Sequence, residues 1–311
     1  FVKVDKIGFY TEDALKRFKS IQNGVEFVIK DKKYEDTFIF KLSLAVKQTF
    51  VICAGVCTPS QREDIYYYLA VRSYLLKLRF GASKVSISDI NNHVKELLAD
   101  ALQSDEVKVL TKTKDDTNVI DLLRPEKIEA LRKSNPPHVF VEIIKKLLER
   151  AISESRKHNL FKSQEYSERL RKILKNYHDR DGLFDTVKTI TEIISFAQDV
   201  VEEDDKANSQ GLYGRERAFY DALIRNKSAQ ELMDDETLKL IAQELRTTVE
   251  EYATTDWTKK RATRAQMRVK IRELLKKYNY PPDYEKEAME NVINQATYMM
   301  ENSWSNSFNN T

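Results

Sequence analysis

Phe140, Ile144, Leu147, Leu148 and Ala151 recur at steps of 4, 3, 1 and 3 residues. That rhythm marks one face of an α-helix, so the chain must bury stripes rather than alternating strand faces. It returns in Leu170, Ile173, Leu174 and Tyr177, in Val187, Ile190, Ile193, Ile194 and Ala197, and in Leu238, Ile241, Leu245, Val249 and Tyr252. Seven glycines and six prolines in 311 residues are few, against averages of roughly 7% Gly and 5% Pro. Little therefore interrupts the helices. The expected fold class is all-α: a helical domain over 1–203, a linker at 204–214, a smaller C-terminal helical bundle over 215–302 and a frayed tail at 303–311.

Some segments read differently. Asp13 to Phe18 has helical spacing, whereas Val25-Glu26-Phe27-Val28-Ile29 reads as a short strand. Thr37 to Ala54 is strongly apolar and reads as a buried helix, although its aromatic and β-branched content also permits strand. Ser60 is the expected cap of a helix running through Tyr66-Tyr67-Tyr68, Leu69, Val71, Tyr74, Leu75 and Leu78 to Gly81. Ser86 or Ser88 caps another through Ile90, Val94, Leu97 and Leu98. From Asp105 to Leu123 the helical period lapses, and Val107, Val109, Val119 and Ile120 fit a short hairpin or an extended loop. Pro125 suits the first turn of a short helix. The run Glu202-Glu203-Asp204-Asp205 followed by Gly211 and Gly214 reads as the hinge. Asp283, behind Pro281-Pro282, reads as the cap of the last helix.

Net charge is only +3, so attraction to nucleic acid would have to come from a local patch. No segment approaches the roughly 18 uncharged apolar residues of a membrane span. The first residue is Phe1, and the chain is expected to be a piece of a longer polypeptide. Its two cysteines, Cys53 and Cys57, fit a reducing, cytoplasmic setting.

The strongest patch lies near the C-terminus. On a helix over 259–278, Met267, Ile271, Leu274, Leu275 and Tyr278 form one apolar face. Arg261, Arg264, Arg268 and Arg272 form a flanking row at steps of 3, 4 and 4. Between Asp256 and Tyr278, nine Lys/Arg stand against two acids, a net charge of +7. Like charges at i,i+4 repel by a few tenths of a kcal/mol per pair, which an anionic partner would offset. Three readings remain open: a solvated or internally paired face, a protein partner, or the DNA backbone. Residues 230–251 carry seven acids and two bases, net −5, and are a source of internal pairing. The candidate partner- or phosphate-binding residues are Trp257, Lys259, Lys260, Arg261, Arg264, Arg268 and Arg272.

Catalytic motifs fail one by one. No Gly-Lys pair exists to build a phosphate-binding loop, and no G-x-G-x-x-G or G-x-S-x-G occurs. Cys53 and Cys57 lack the further ligands zinc needs. His178-Asp179-Arg180-Asp181-Gly182 is similar to the His-Asp pair of metal-dependent hydrolases, but no other ligand cluster accompanies it. As a calcium loop it would start at Tyr177 and close at Lys188, which are not ligands. A polar helix end with a Gly cap explains it better. No catalytic residue, metal site or cofactor is therefore expected in this segment. Tyr66-Tyr67-Tyr68 could stack bases, but at helical spacing tyrosines more often edge a core.

One stretch carries a resemblance: Asp256-Trp257, Arg261-Ala262, Met267-Arg268, Leu274-Leu275-Lys276-Lys277-Tyr278 and Tyr280-Pro281-Pro282. It resembles the closing segment of the R (motor and endonuclease) subunit of type I restriction–modification enzymes. Ala218 to Leu223, Glu165 to Leu170 with Tyr177, and Tyr74 to Lys77 resemble earlier elements of that subunit. Leu212-Tyr213-Gly214 stands where the family offers a Ser or Thr cap. The resemblance implies a helical tail behind a nuclease domain and two helicase lobes, with ATP and Mg2+ used in those parts. It also implies docking of the motor onto the methyltransferase (modification) and specificity subunits, with duplex DNA nearby. An autonomous helical adaptor unrelated to restriction is the alternative, and a hydrolase using His178 and Asp179 a weaker one.

Overall fold

A computed structural model describes residues 6–11, 13–80, 118–178, 183–252 and 261–308. No strand occurs among them, and the fold is all-α. The chain divides into two compact groups, 1–148 with 172–198 and 149–171 with 199–311.

The first group opens with a 3-10 turn, Ile7–Tyr10, and α1, Ala14–Ile29. Asp13 caps α1 by accepting from the amides of Leu15 and Lys16. Val25 to Ile29, expected as a strand, is the C-terminal half of α1. Ile21, Val25, Val28 and Ile29 keep the helical step and are buried, and that burial outweighs the strand preference of β-branched residues. Next come α2 (Lys32–Thr37), a π-helical turn (Phe38–Leu42), α3 (Ser43–Cys53), a 3-10 turn (Ala54–Val56) and α4 (Pro59–Phe80). The cap of α4 is Thr58, not Ser60. The Thr58 hydroxyl accepts from the Gln61 amide while the Gln61 side chain accepts from the Thr58 amide, a reciprocal capping box behind a first-turn proline. α1 crosses α4 at Gly24, where a Cβ would meet Tyr67 Oη at 2.5 Å and Val71 Cγ2 at 2.7 Å.

Helix formation over 37–54 is as expected, but its burial is not. Phe38, Ile39 and Ser43 are buried, while Leu42, Val51, Ile52 and Val56 are exposed. Against the expectation that no segment approaches a membrane span, the helical run Lys33–Val56, 24 residues, is long and apolar enough by length and composition to cross one, with Lys41 and Lys47 inside it.

Val119 and Ile120, offered above to a hairpin or loop, lie in a single helical turn, α5 (Val119–Leu122). Residues 81–117, with the expected helix after Ser86 or Ser88, lie outside the described residues. α6 (Pro125–Ser134) starts on its proline as predicted. α7 (Pro137–Arg156), α8 (Leu160–His178) and α9 (Leu183–Ser209) contribute residues to both groups. The N-terminus of α7 is held by Glu26, whose Oε2 accepts from the amides of His138 at 2.9 Å and Val139 at 3.1 Å.

The acidic run read as a hinge is helical. α9 continues through it to Ser209 and ends in a Schellman motif, with Gly211 at φ 70°, its amide on Asn208 O and the Leu212 amide on Ala207 O.

The second group packs α10 (Gly214–Ile224), α12 (Asp235–Tyr252), α13 (Arg261–Lys277) and α14 (Pro282–Phe308). A short α11 (Lys227–Leu232), not anticipated, joins the first two. Phe219, Leu223, Ile241, Leu245, Met267, Ile271, Leu275, Val292 and Ala296 fill the core. α14 begins at Pro282, so Asp283 lies inside its first turn rather than capping it, and the helix extends past Ser303 to Phe308.

Candidate partner-binding face

α13 presents its two rows to different surroundings. Met267, Ile271 and Leu275 are fully buried and Leu274 nearly so. Arg261, Arg264, Arg268 and Arg272 are all exposed. Among the described residues no ion pair reaches Arg261, Arg264 or Arg268. Trp257, Lys259 and Lys260 lie outside the described residues.

The helix is pinned at its C-terminal end. Asn279 adopts φ 53°. Its amide donates to Lys276 O at 3.0 Å and the Tyr280 amide to Leu275 O at 2.9 Å, a second Schellman motif. Buried Tyr280 donates its hydroxyl to Leu223 O of α10 at 3.1 Å. Tyr278 donates to Glu244 Oε1 at 2.6 Å, and Lys277 Nζ donates to both Glu244 oxygens at 2.7 and 2.9 Å. The tyrosines on either side of Asn279 thus dock α13 onto α12 and α10. The hydrogen bonds from Lys277 and then Tyr278 hold the Glu244 carboxyl below its ordinary value.

Internal pairing takes the acids of α12 but largely spares the arginine row. Glu250 binds Arg215 and Arg246, and Arg246 also reaches Glu216. Asp235 accepts from Tyr220 and pairs with Lys239, which also meets Glu236. Of the basic segment, Lys277 and Tyr278 join the acidic helix through Glu244.

A second polar cluster escaped sequence reading. Lys162 pairs with Glu203 at 2.6 Å, and Tyr166 donates to the same carboxylate at 2.5 Å. Arg217 binds Asp204 at 3.0 Å and lies 3.9 Å from Asp221, which accepts from Asn159. Burial raises the Asp221 pKa, and its basic neighbours offset this only in part. Burial would lower that of Lys162, but the hydrogen bond and charge of Glu203 leave it raised. The cluster ties α8, α9 and α10 together. Its members come from three stretches, 159–166, 203–204 and 217–221, that meet only once three helices have packed.

His178 ends α8, and Asp179 to Gly182 lie outside the described residues. Among the described residues no group of three or more His, Cys, Asp or Glu could hold a metal.

The family model for the C-terminal region of type I restriction enzyme HindI endonuclease subunit-like proteins matches residues 1–302. This chain belongs to that family. It is 30% identical over 261 residues to the type I restriction enzyme HindI endonuclease subunit of Haemophilus influenzae. The match covers 82% of this chain and 24% of that subunit, so the chain spans about a quarter of its relative. No solved structure matches. Within this C-terminal family region, the stretch from Arg261 to Pro282 forms a helix, its αL stop and the start of the next helix.

Proposed function

We propose that this chain is the coupling and assembly segment of a type I restriction endonuclease subunit. It docks an ATP-dependent DNA translocase and nuclease onto the methyltransferase and specificity subunits, in the cytoplasm. The chain itself has no bond-breaking role. The sequence contains no phosphate-binding loop for ATP. The observation that carries the reading is the set Arg261, Arg264 and Arg268 of α13: exposed, repulsive along its own helix, and set beside an acidic helix whose carboxylates are mostly engaged elsewhere. A planar guanidinium binds carboxylate or phosphate bidentately. A carboxylate-bearing subunit surface is therefore the primary partner, with duplex DNA phosphates as the second.

The test is Arg264→Glu with Arg268→Glu in the full-length subunit. Thermal unfolding should be unchanged, and co-purification with the modification and specificity subunits should be lost. If both folding and co-purification survive, the face is merely solvated and the proposal fails. DNA binding through the row predicts that log K falls with log salt by about 0.9 per phosphate contact, a slope the double variant flattens. Docking on protein predicts a weaker salt dependence.

A further inference from the structure

The polar cluster on α8, α9 and α10 holds more acids than cations, an imbalance that stands apart from the restriction reading. Both of its cations are committed. Lys162 Nζ lies 2.6 Å from Glu203 Oε2, which also accepts from the Tyr166 hydroxyl at 2.5 Å. Arg217 donates to Asp204 Oδ1 at 3.0 Å and to the Glu203 carbonyl at 3.3 Å. The third acid, Asp221, is left with a hydrogen bond from Asn159 Nδ2 at 2.5 Å. Among the described residues the cation that reaches it is Arg217, with Nε at 3.9 Å. Yet the Asp221 side chain is only 14% exposed, against 37% for Glu203. Other groups around it do not fill the gap. Glu165 of α8 meets Lys162 from solvent and adds a further negative charge. Arg225, one turn along α10, stacks over the Phe161 ring at 4.5 Å. Tyr220 turns its hydroxyl to Asp235. In the turn before α8, His158 is exposed, and α14 brings uncharged Gln295 to its carbonyl. The buried cluster of the first group is different, because there Glu35 has Arg79, and Glu142 has both Arg79 and Lys145.

A carboxylate held out of water without a close cation is costly as an anion, and a proton removes that cost. Burial raises the Asp221 pKa in keeping with this. We propose that the cluster is a proton-operated catch: a proton on Asp221 closes the seam of α8, α9 and α10, and its loss loosens that seam by setting a third negative charge against two cations. The catch bears on the core of the second group, to which α10 supplies Phe219 and Leu223. The sign follows from linkage. A carboxyl with a raised folded pKa contributes stability that is complete below its unfolded value, about 3.9 for aspartate, and is lost as pH rises through the folded one.

The experiment uses the 311-residue chain with its aspartate carboxyl carbons labelled for NMR, the Asp221 resonance being assigned by its absence from Asp221→Asn. The titration midpoint of Asp221 should lie above the ordinary aspartate value of about 3.9. Amide hydrogen exchange, corrected for the base catalysis of exchange itself, reports opening of the seam. Protection at Phe219 and Leu223 of α10 should fall as pH rises through that midpoint, while protection at Val25 and Val28 of α1 should hold. Asp221→Asn keeps an acceptor for Asn159 without the charge, so it should protect α10 at every pH. Glu203→Gln keeps an acceptor for Lys162 and Tyr166 but removes one acid, so it should bring the Asp221 midpoint down. A midpoint at or below the ordinary value overturns the proposal. So does equal loss of protection in α1 and α10, a pH dependence that survives in Asp221→Asn, or a midpoint that Glu203→Gln leaves in place. Failure of Asp221→Asn to fold overturns it too, because the amide stands in for the protonated acid.

Discussion

Helices α3 and α13 each carry a row of side chains that their own compact group leaves in water, and the two rows have opposite chemistry. α13 separates its rows cleanly: Met267, Ile271 and Leu275 are in the core and the arginines outside. α3 has apolar residues on both sides, half-buries Val46, Phe50 and Cys53, and leaves Val51 and Ile52 exposed. Periodicity shows which residues share a face, but not whether that face is covered. For arginine the outcome is legible, because an unpaired charge does not stay in a core. For isoleucine it is not, because the same residue serves a core and an interface equally well.

The largest effect should separate the two helices directly. Ile271→Ala empties a fully buried site and should cost about 2–5 kcal/mol of unfolding free energy. Ile52→Ala should change stability by no more than about 0.5 kcal/mol, as expected for an exposed site. Denaturant titration of both variants measures this. A loss of several kcal/mol at Ile52 would mean that this side of α3 is covered within the chain.

Next in size is the crossing that holds α1 against α4. Gly24→Ala places a methyl 2.5 Å from Tyr67 Oη and 2.7 Å from Val71 Cγ2. Overpacking of this kind costs typically 1–3 kcal/mol. An unchanged midpoint would show that α4 can move away and that the first group is looser than its core implies.

Smaller again is the stop of α13. Asn279→Ala removes a residue type that tolerates the left-handed region, and alanine at φ 53° should lose about 1 kcal/mol. The loss should appear in stability with partner binding intact, because Asn279 ends the helix without belonging to the arginine row.

These sites also show what the sequence could reveal. The longer helices from Pro125 onward follow from their stripes, whereas short α11 has none, and Pro125 starts its helix as its fixed φ requires. Val25 to Ile29 misled because β-branched residues suit strands, yet α4 offered them a helical seam. Glu202 to Asp205 misled because a charge run resembles a loop, whereas the stop is Gly211, the residue able to take φ 70°. At the candidate face, the exposure of Arg261, Arg264, Arg268 and Arg272 follows from their spacing beside the apolar row. The cluster of Lys162, Glu203, Arg217 and Asp221 did not announce itself, because its partners meet only after three helices have packed.

The smallest expected effect tests how far the acidic helix neutralises the basic one. Glu244 is held below its ordinary pKa by the hydrogen bonds from Lys277 and Tyr278. A carboxyl with a lowered folded pKa adds stability above its unfolded value, about 4.3 for glutamate, and loses it as pH falls through the folded one. Glu244→Gln should therefore be less stable than the parent chain near neutrality. The two unfolding curves should converge as pH drops through the acid range. Because the pair is largely open to solvent, added salt should shrink the difference as well. A difference that persists at low pH would trace the effect to the Tyr278 hydrogen bond rather than to charge. The acidic helix would then contribute no charge compensation to α13, and the whole basic segment, Lys277 included, would be left for an external partner.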